Sequence, residues 1–163
     1  MGAIARLNDT LARMHGKRVY FDTAPIIYAL ENAPHFAEVS IPFIRASEDR
    51  KIIGFTGAVT LAELLVKPLQ QGNSEYADVL KGLFTSGDLF ECVDHARDAY
   101  ILAATLRAEH RYKFVDALQI ATARTLGCQF FITNDHKLAS SPLTEVVCVQ
   151  NFLDAATVAA LRG

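Results

Sequence analysis

The chain has 163 residues, 51% of them hydrophobic, and a formal net charge of −2. That is enough apolar sequence to close a sizeable core as one domain, 1–163, with residues 1–16 as a helical extension. No apolar run approaches the ~18 residues of a membrane span, and the first residues lack a secretory layout. The expectation is a soluble cytoplasmic protein with no membrane partner.

Ile4, Leu7, Leu11 and Met14 recur at helical spacing, and Gly16 follows as a stop. Residues 18–22 read as a short buried strand. Thr23-Ala24-Pro25 then opens a helix to about residue 32, with proline tolerated in the first turn. Pro34 breaks it. A helix over 35–50 follows, interrupted or kinked at Pro42.

Residues 51–56 read as a second strand closed by Gly57, and 58–66 as a helix that ends at Pro68. Asn73 or Ser74 caps a helix to about 86, and 89–93 is a third strand. Asp94 caps a long helix to about 109. Asp116 starts an alanine-rich helix that stops at Gly127. Residues 129–133 form a fourth strand, 146–150 a fifth, and 151–161 a closing helix.

The strands are rich in Val, Ile, Phe and Tyr with little polar alternation, and helices intervene throughout. That pattern belongs to a parallel sheet covered on both faces. The expected fold is therefore three-layer α/β/α, with a central parallel sheet of four or five strands plus the N-terminal helix. Ligands of such sheets bind beyond the carboxyl ends of strands, at a switch in strand order. Asp22 and Asp135 fall at those ends, after strands one and four.

Four carboxylates stand out: Asp22, Glu63, Asp116 and Asp135. Each has an ordinary explanation. The three aspartates sit where helix N-caps are expected. Glu63 could pair with Lys67 at i, i+4, which contributes only ~0.3–0.5 kcal/mol. A shared pocket would explain all four at once. It would need a cation to stay ionised, and hard oxygen ligands suit Mg2+ or Mn2+.

Phe21-Asp22-Thr23 followed by Ile26-Ile27-Tyr28-Ala29-Leu30-Glu31 resembles the opening motif of PIN-domain ribonucleases. Thr60-Leu61-Ala62-Glu63-Leu64 resembles the second motif of that family. Val115-Asp116-Ala117-Leu118-Gln119-Ile120-Ala121-Thr122-Ala123 resembles the third, and Phe131-Ile132-Thr133-Asn134-Asp135 the fourth. The overall look is that of the VapC type, the toxin half of bacterial toxin–antitoxin pairs. The helix over 1–15 precedes the usual first strand of the family.

The resemblance implies an Mg2+- or Mn2+-dependent endoribonuclease. Asp22 and Asp116 would be the principal metal ligands, with Glu63 and Asp135 completing the site directly or through water. In-line attack would leave 5′-phosphate and 3′-hydroxyl ends. It also implies a homodimer and an antitoxin partner. Thr23 and Thr133 adjoin these acids and could hydrogen-bond a carboxylate or phosphate, or merely cap and stiffen strand ends. The Asn134 amide could orient a water or ligand.

The weak negative charge means that any grip on the RNA backbone must come from a local basic patch. Lys67, Arg111, Lys113 and Lys137 are the nearest basic residues in sequence to the acidic motifs. The five histidines form no pair at i, i+3 or i+4, which argues against a zinc hydrolase. No G-x-G-x-x-G follows the first strand, which argues against a dinucleotide enzyme. Three scattered cysteines fit neither a disulfide framework nor a zinc knuckle; Cys128 and Cys148 read as small core residues. The alternative is a non-catalytic binding module of the same fold, acting through protein or RNA partners.

Overall fold

Five strands, β1 (Arg18–Phe21), β2 (Ile53–Gly57), β3 (Glu91–Val93), β4 (Phe130–Thr133) and β5 (Glu145–Cys148), pair in parallel in the spatial order β3-β2-β1-β4-β5. This computed structural model describes residues 2–163, so Met1 of the expected extension lies outside the described residues. Eight α-helices connect and cover the strands among the described residues: α1 (Ala3–Met14), α2 (Thr23–Leu30), α3 (Phe36–Glu48), α4 (Ala58–Gln70), α5 (Ser74–Ser86), α6 (Arg97–His110), α7 (Phe114–Thr125) and α8 (Ala155–Arg162).

Side chains alternate across the sheet, as the pleat requires. Val19 and Phe21 of β1 and Phe130 and Ile132 of β4 face one core with Leu7 and Met14 of α1, Phe43 of α3 and Leu80 of α5. Tyr20 and Phe131 face the other core, beneath Ala99 and Ala103 of α6 and Ile120 and Ala121 of α7. The result is the expected three-layer α/β/α arrangement. In register, Tyr20 lies between Phe55 and Phe131, and it stacks on Phe131 with ring centroids 5.5 Å apart. No helix among the described residues is long and apolar enough to cross a membrane.

Some boundaries differ from the sequence expectation, each for a local reason. Helix α4 does not end at Pro68 but runs through it to Gln70. Pro68 is buried on the same face as Leu64 and Thr60, so ring packing offsets the lost backbone donor. Helix α3 likewise continues through Pro42. Helix α6 starts at Arg97 with Ala96, not Asp94, at its N-cap. Helix α7 starts at Phe114, which moves Asp116 from the cap into the first turn. After β5 the chain makes a 3-10 turn, Val149–Phe152, and the last helix waits for Asp154, whose side chain accepts the Thr157 N–H.

The order of the strands places a switch point beside β1. From there the chain winds outward to β2 and β3 on one side and to β4 and β5 on the other. Loops leaving the carboxyl ends of β1 and β4 diverge around a crevice.

Candidate active site

Asp22 follows directly after β1 and is the N-cap of α2: its Oδ1 accepts the Thr23 N–H at 2.8 Å. Its Oδ2 accepts from the hydroxyl of Thr133, the last residue of β4, at 2.7 Å. Capping and a place in the crevice are thus compatible. The backbone pairing of β1 and β4 runs on past the strand end, with Asp22 N–H donating to Ile132 O at 2.9 Å. Asp135 lies two residues beyond β4. Its N–H donates to Thr133 Oγ1 at 3.1 Å, and its Oδ1 accepts the Lys137 N–H at 2.9 Å. Asp116 stands in the first turn of α7, where the helix dipole favours an anion. Glu63, one turn into α4, accepts the Thr23 hydroxyl at 2.7 Å and forms no ion pair with Lys67.

All four carboxylates line one cavity of about 340 Å3, together with Thr23, Thr133, Asn134 and Tyr28. A larger hollow of about 600 Å3 sits at the opposite end of β4, beside Arg13, Lys17 and Glu145, and holds none of them. The Asn134 amide lines the cavity and is also held by its neighbours. Its Nδ2 donates to Tyr28 OH at 3.1 Å, and its Oδ1 accepts the Gln150 N–H at 3.0 Å. It ties the β4 loop to α2 and to the 3-10 turn.

Beneath the cavity lies a polar layer that sequence reasoning missed. Gln119 of α7 is fully buried. Its Oε1 accepts the hydroxyl of Tyr20. Its Nε2 donates to Thr60 Oγ1 at 2.7 Å and to Thr23 Oγ1 at 3.2 Å. Thr56 Oγ1 donates to Phe21 O at 2.9 Å and to Thr60 Oγ1 at 3.0 Å. The Thr23 hydroxyl lies 3.2 Å from Thr60 Oγ1 and donates to Glu63 at 2.7 Å. One signal was available: a glutamine inside the run Ala117-Leu118-Gln119-Ile120-Ala121 must find partners when it is buried.

Gly57 sets the entry of α4. A Cβ there would come within 2.3 Å of His95 Cε1 and 2.5 Å of the Tyr20 hydroxyl. His95 accepts the Val59 N–H on Nε2 at 3.2 Å. It contacts Thr122 Oγ1 through Nδ1 at 2.7 Å, and Thr122 already donates to Leu118 O. The ring is therefore the neutral Nδ1–H tautomer, and burial lowers its pKa.

The electrostatics are those of crowded acids. Burial pushes the Asp22 carboxyl up to about 6, against the lowering effect of the bonds from Thr133 and Thr23; Asp116 and Glu63 raise it further. Burial also raises Asp116, as do Asp135 and Glu63, while Lys113 opposes them. An all-oxygen acidic set of this kind fits a hard divalent cation. Among the described residues no three acids, histidines or cysteines are gathered closely enough to ligate one ion directly. The donor set thus fits an ion that takes one or two carboxylates and keeps several waters, as Mg2+ does.

Of the basic candidates, Arg111, Lys113 and Lys137 line a second cavity of about 200 Å3 beside Asp116 and Asp135. Lys67 lies exposed one turn beyond Glu63 and lines neither cavity. His136 is exposed, with Nε2 at 3.0 Å from Gln150 Oε1. Cys128 and Cys148 are buried and unpaired, as expected of core residues.

Residues 19–141 match the PIN domain family. No curated protein matches the chain by sequence. Among solved structures, VapBC from Salmonella typhimurium bound to DNA is similar with a TM-score of 0.63 and 19% identity, covering 82% of this chain and 98% of that one. VapBC2 from Rickettsia felis, bound to a promoter DNA fragment, has a TM-score of 0.61 and 18% identity, covering 79% and 98%. VapC20 from Mycobacterium tuberculosis, a toxin that cleaves the sarcin–ricin loop, has a TM-score of 0.56 and 17% identity, covering 69% and 86%.

Proposed function

The chain belongs to the PIN domain family, and on that premise we propose that its acidic cavity is the active site of an Mg2+- or Mn2+-dependent endoribonuclease. One observation carries the reading: four segments far apart in sequence deliver Asp22, Glu63, Asp116 and Asp135 to a single cavity at the switch point of the sheet.

In this reading Asp22 and Asp116 would hold the ion, and Glu63 and Asp135 would complete the site directly or through water. When bound, the ion supplies charge neutralisation and Lewis acidity toward a phosphodiester. Thr133 and the Thr23 N–H keep Asp22 turned to the cavity. The Thr23 hydroxyl, directed by Gln119, does the same for Glu63. Asp135, with Oδ1 engaged by the Lys137 N–H, orients the attacking water from its other oxygen. Hydrolysis in line leaves 5′-phosphate and 3′-hydroxyl ends. Lys67, Arg111, Lys113 and Lys137 are the candidates for contact with the RNA backbone.

The likeness to VapBC complexes supports a role as the toxin of a toxin–antitoxin pair, with an antitoxin protein as partner. The exposed apolar pair Tyr100 of α6 and Phe114 of α7, stacked with ring centroids 6.3 Å apart, supports a homodimer.

The test is cleavage of RNA with Mg2+ or Mn2+, against EDTA and against Asp116→Asn. Cleavage that stops under both conditions is the expected result; cleavage that survives both rejects the mechanism. One observation favours the alternative, a binding module without catalysis: the net charge of −2 gives no general attraction to RNA. Metal binding with no cleavage of any RNA would decide for it.

A further inference from the structure

The acidic cavity and its neighbour share Asp116 and Asp135 as a common wall. The rest of the second cavity is basic and aromatic: His110, Arg111, Tyr112, Lys113 and Lys137. The change of sign across two shared side chains is a property of this chain's own loops.

The basic side is built. Tyr112 is turned inward; its hydroxyl accepts the Ala139 N–H at 2.7 Å, and its carbonyl accepts Arg107 Nε at 3.3 Å. That anchor ties the α6–α7 link to the loop after β4. With Tyr112 buried, its neighbours Arg111 and Lys113 are left exposed. Lys137 is drawn to the same place because its N–H donates to Asp135 Oδ1. Arg111 caps α6 at φ +57, its N–H donating to Arg107 O at 2.9 Å. None of Arg111, Lys113 and Lys137 joins an ion pair within 4.0 Å among the described residues.

Phosphates recur at every nucleotide of a strand. A phosphodiester drawn to the acids by a cation therefore has a neighbour in reach of the next pocket. We infer that the basic pocket binds the phosphate adjacent to the scissile one, and that Arg111, Lys113 and Lys137 position a single RNA strand relative to Asp116 and Asp135. This subsite rests on the nuclease reading above.

Two substrates separate its failure from the failure of that reading. One is a short single-stranded RNA library of mixed sequence. The other is bis(p-nitrophenyl) phosphate, which carries one phosphodiester and no neighbour. With Mn2+, Arg111→Ala, Lys113→Gln and their combination with Lys137→Gln should raise KM on RNA with little change in kcat. In the triple variant the ratio of kcat/KM on RNA to that on the single diester should fall by about tenfold or more, as loss of charge-assisted phosphate contacts implies. Lys51→Ala, a distant cation removed in the same way, controls for bulk charge. An equal loss on both substrates, or the same loss in the Lys51 variant, overturns the subsite.

If wild type cleaves neither substrate, the nuclease reading fails and the subsite is judged by binding alone. Fluorescence anisotropy with the labelled library should then show weaker binding by the triple variant and a salt dependence less steep by about 0.7, one phosphate contact on a single strand. Binding and slope equal to wild type overturn it.

Discussion

Gln119 donates from Nε2 to Thr23 Oγ1 at 3.2 Å, and this contact decides which way the Thr23 hydroxyl points. With its oxygen already accepting from the amide, Thr23 offers its proton to Glu63. An amide buried in the opposite helical layer thereby orients a carboxylate of the cavity.

Gln119→Leu removes that direction. Loss of a partner that orients a metal-site ligand costs about 10–100-fold in metal affinity or activity, and a fall of that size is expected in Mn2+ titrations and in RNA cleavage. Thr23→Val should have a similar effect. The double variant should lose little more than either single one, because both act on Glu63 through one hydroxyl. Additive losses in the double-mutant cycle would show that Gln119 acts only by supporting the fold.

Asp22 destabilises the metal-free protein at neutral pH. Its folded pKa is about 6, above its ordinary 3.8, so between those values the folded state binds the extra proton. Stability is then present at low pH and lost as pH rises through 6. The shift corresponds to a cost of about 3 kcal/mol once Asp22 is ionised. With metal chelated, Asp22→Asn should raise the urea midpoint above about pH 7 and lose that advantage near pH 4. The comparison between the two proteins cancels the opposite contribution of His95, whose lowered pKa costs stability as pH falls. A wild type as stable as the variant at alkaline pH contradicts the assignment.

A cation held by Asp22, as proposed, has to displace the same proton. Mn2+ affinity, measured by calorimetry, should be flat above about pH 7 and fall by about tenfold per pH unit below pH 6. Calorimetry in two buffers of different ionisation enthalpy should register uptake of protons by the buffer near pH 6. A pH-independent affinity down to pH 5 would mean that Asp22 takes no part.

Gly57→Ala should damage the site from behind. The added methyl meets His95 and the Tyr20 hydroxyl well inside contact distance. Overpacking of this kind costs about 1–3 kcal/mol. Because Gly57 starts the helix that carries Thr60 and Glu63, cleavage should fall along with the melting temperature. A variant with wild-type melting and wild-type cleavage would show that His95 moves aside freely.

The sheet was legible because β1 and β4 are apolar runs that end in acids, and the four acids themselves were legible. Their convergence was not, since it depends on the strand order that places β4 beside β1. The run of α4 through Pro68 was missed because a proline reads as a stop unless its burial is known. Gln119, Tyr20 and Thr56 were missed because a helical or strand pattern shows that a residue is inside, but not which polar groups meet there. The sequence suggests that the Asn134 amide could orient a water or ligand; its bonds to Tyr28 and the Gln150 backbone are tertiary contacts that no local pattern reveals.

The Tyr20–Gln119–Thr60 connection joins the central strand to helices of both outer layers. Active-site loops usually belong to the least stable parts of a protein and open without disturbing the rest. Here the floor of the cavity is tied by hydrogen bonds to the sheet, α4 and α7. Backbone amides around Thr23, Thr60 and Gln119 should therefore exchange with deuterium as one slow cooperative unit, which would place the acidic cavity among the more stable parts of the protein.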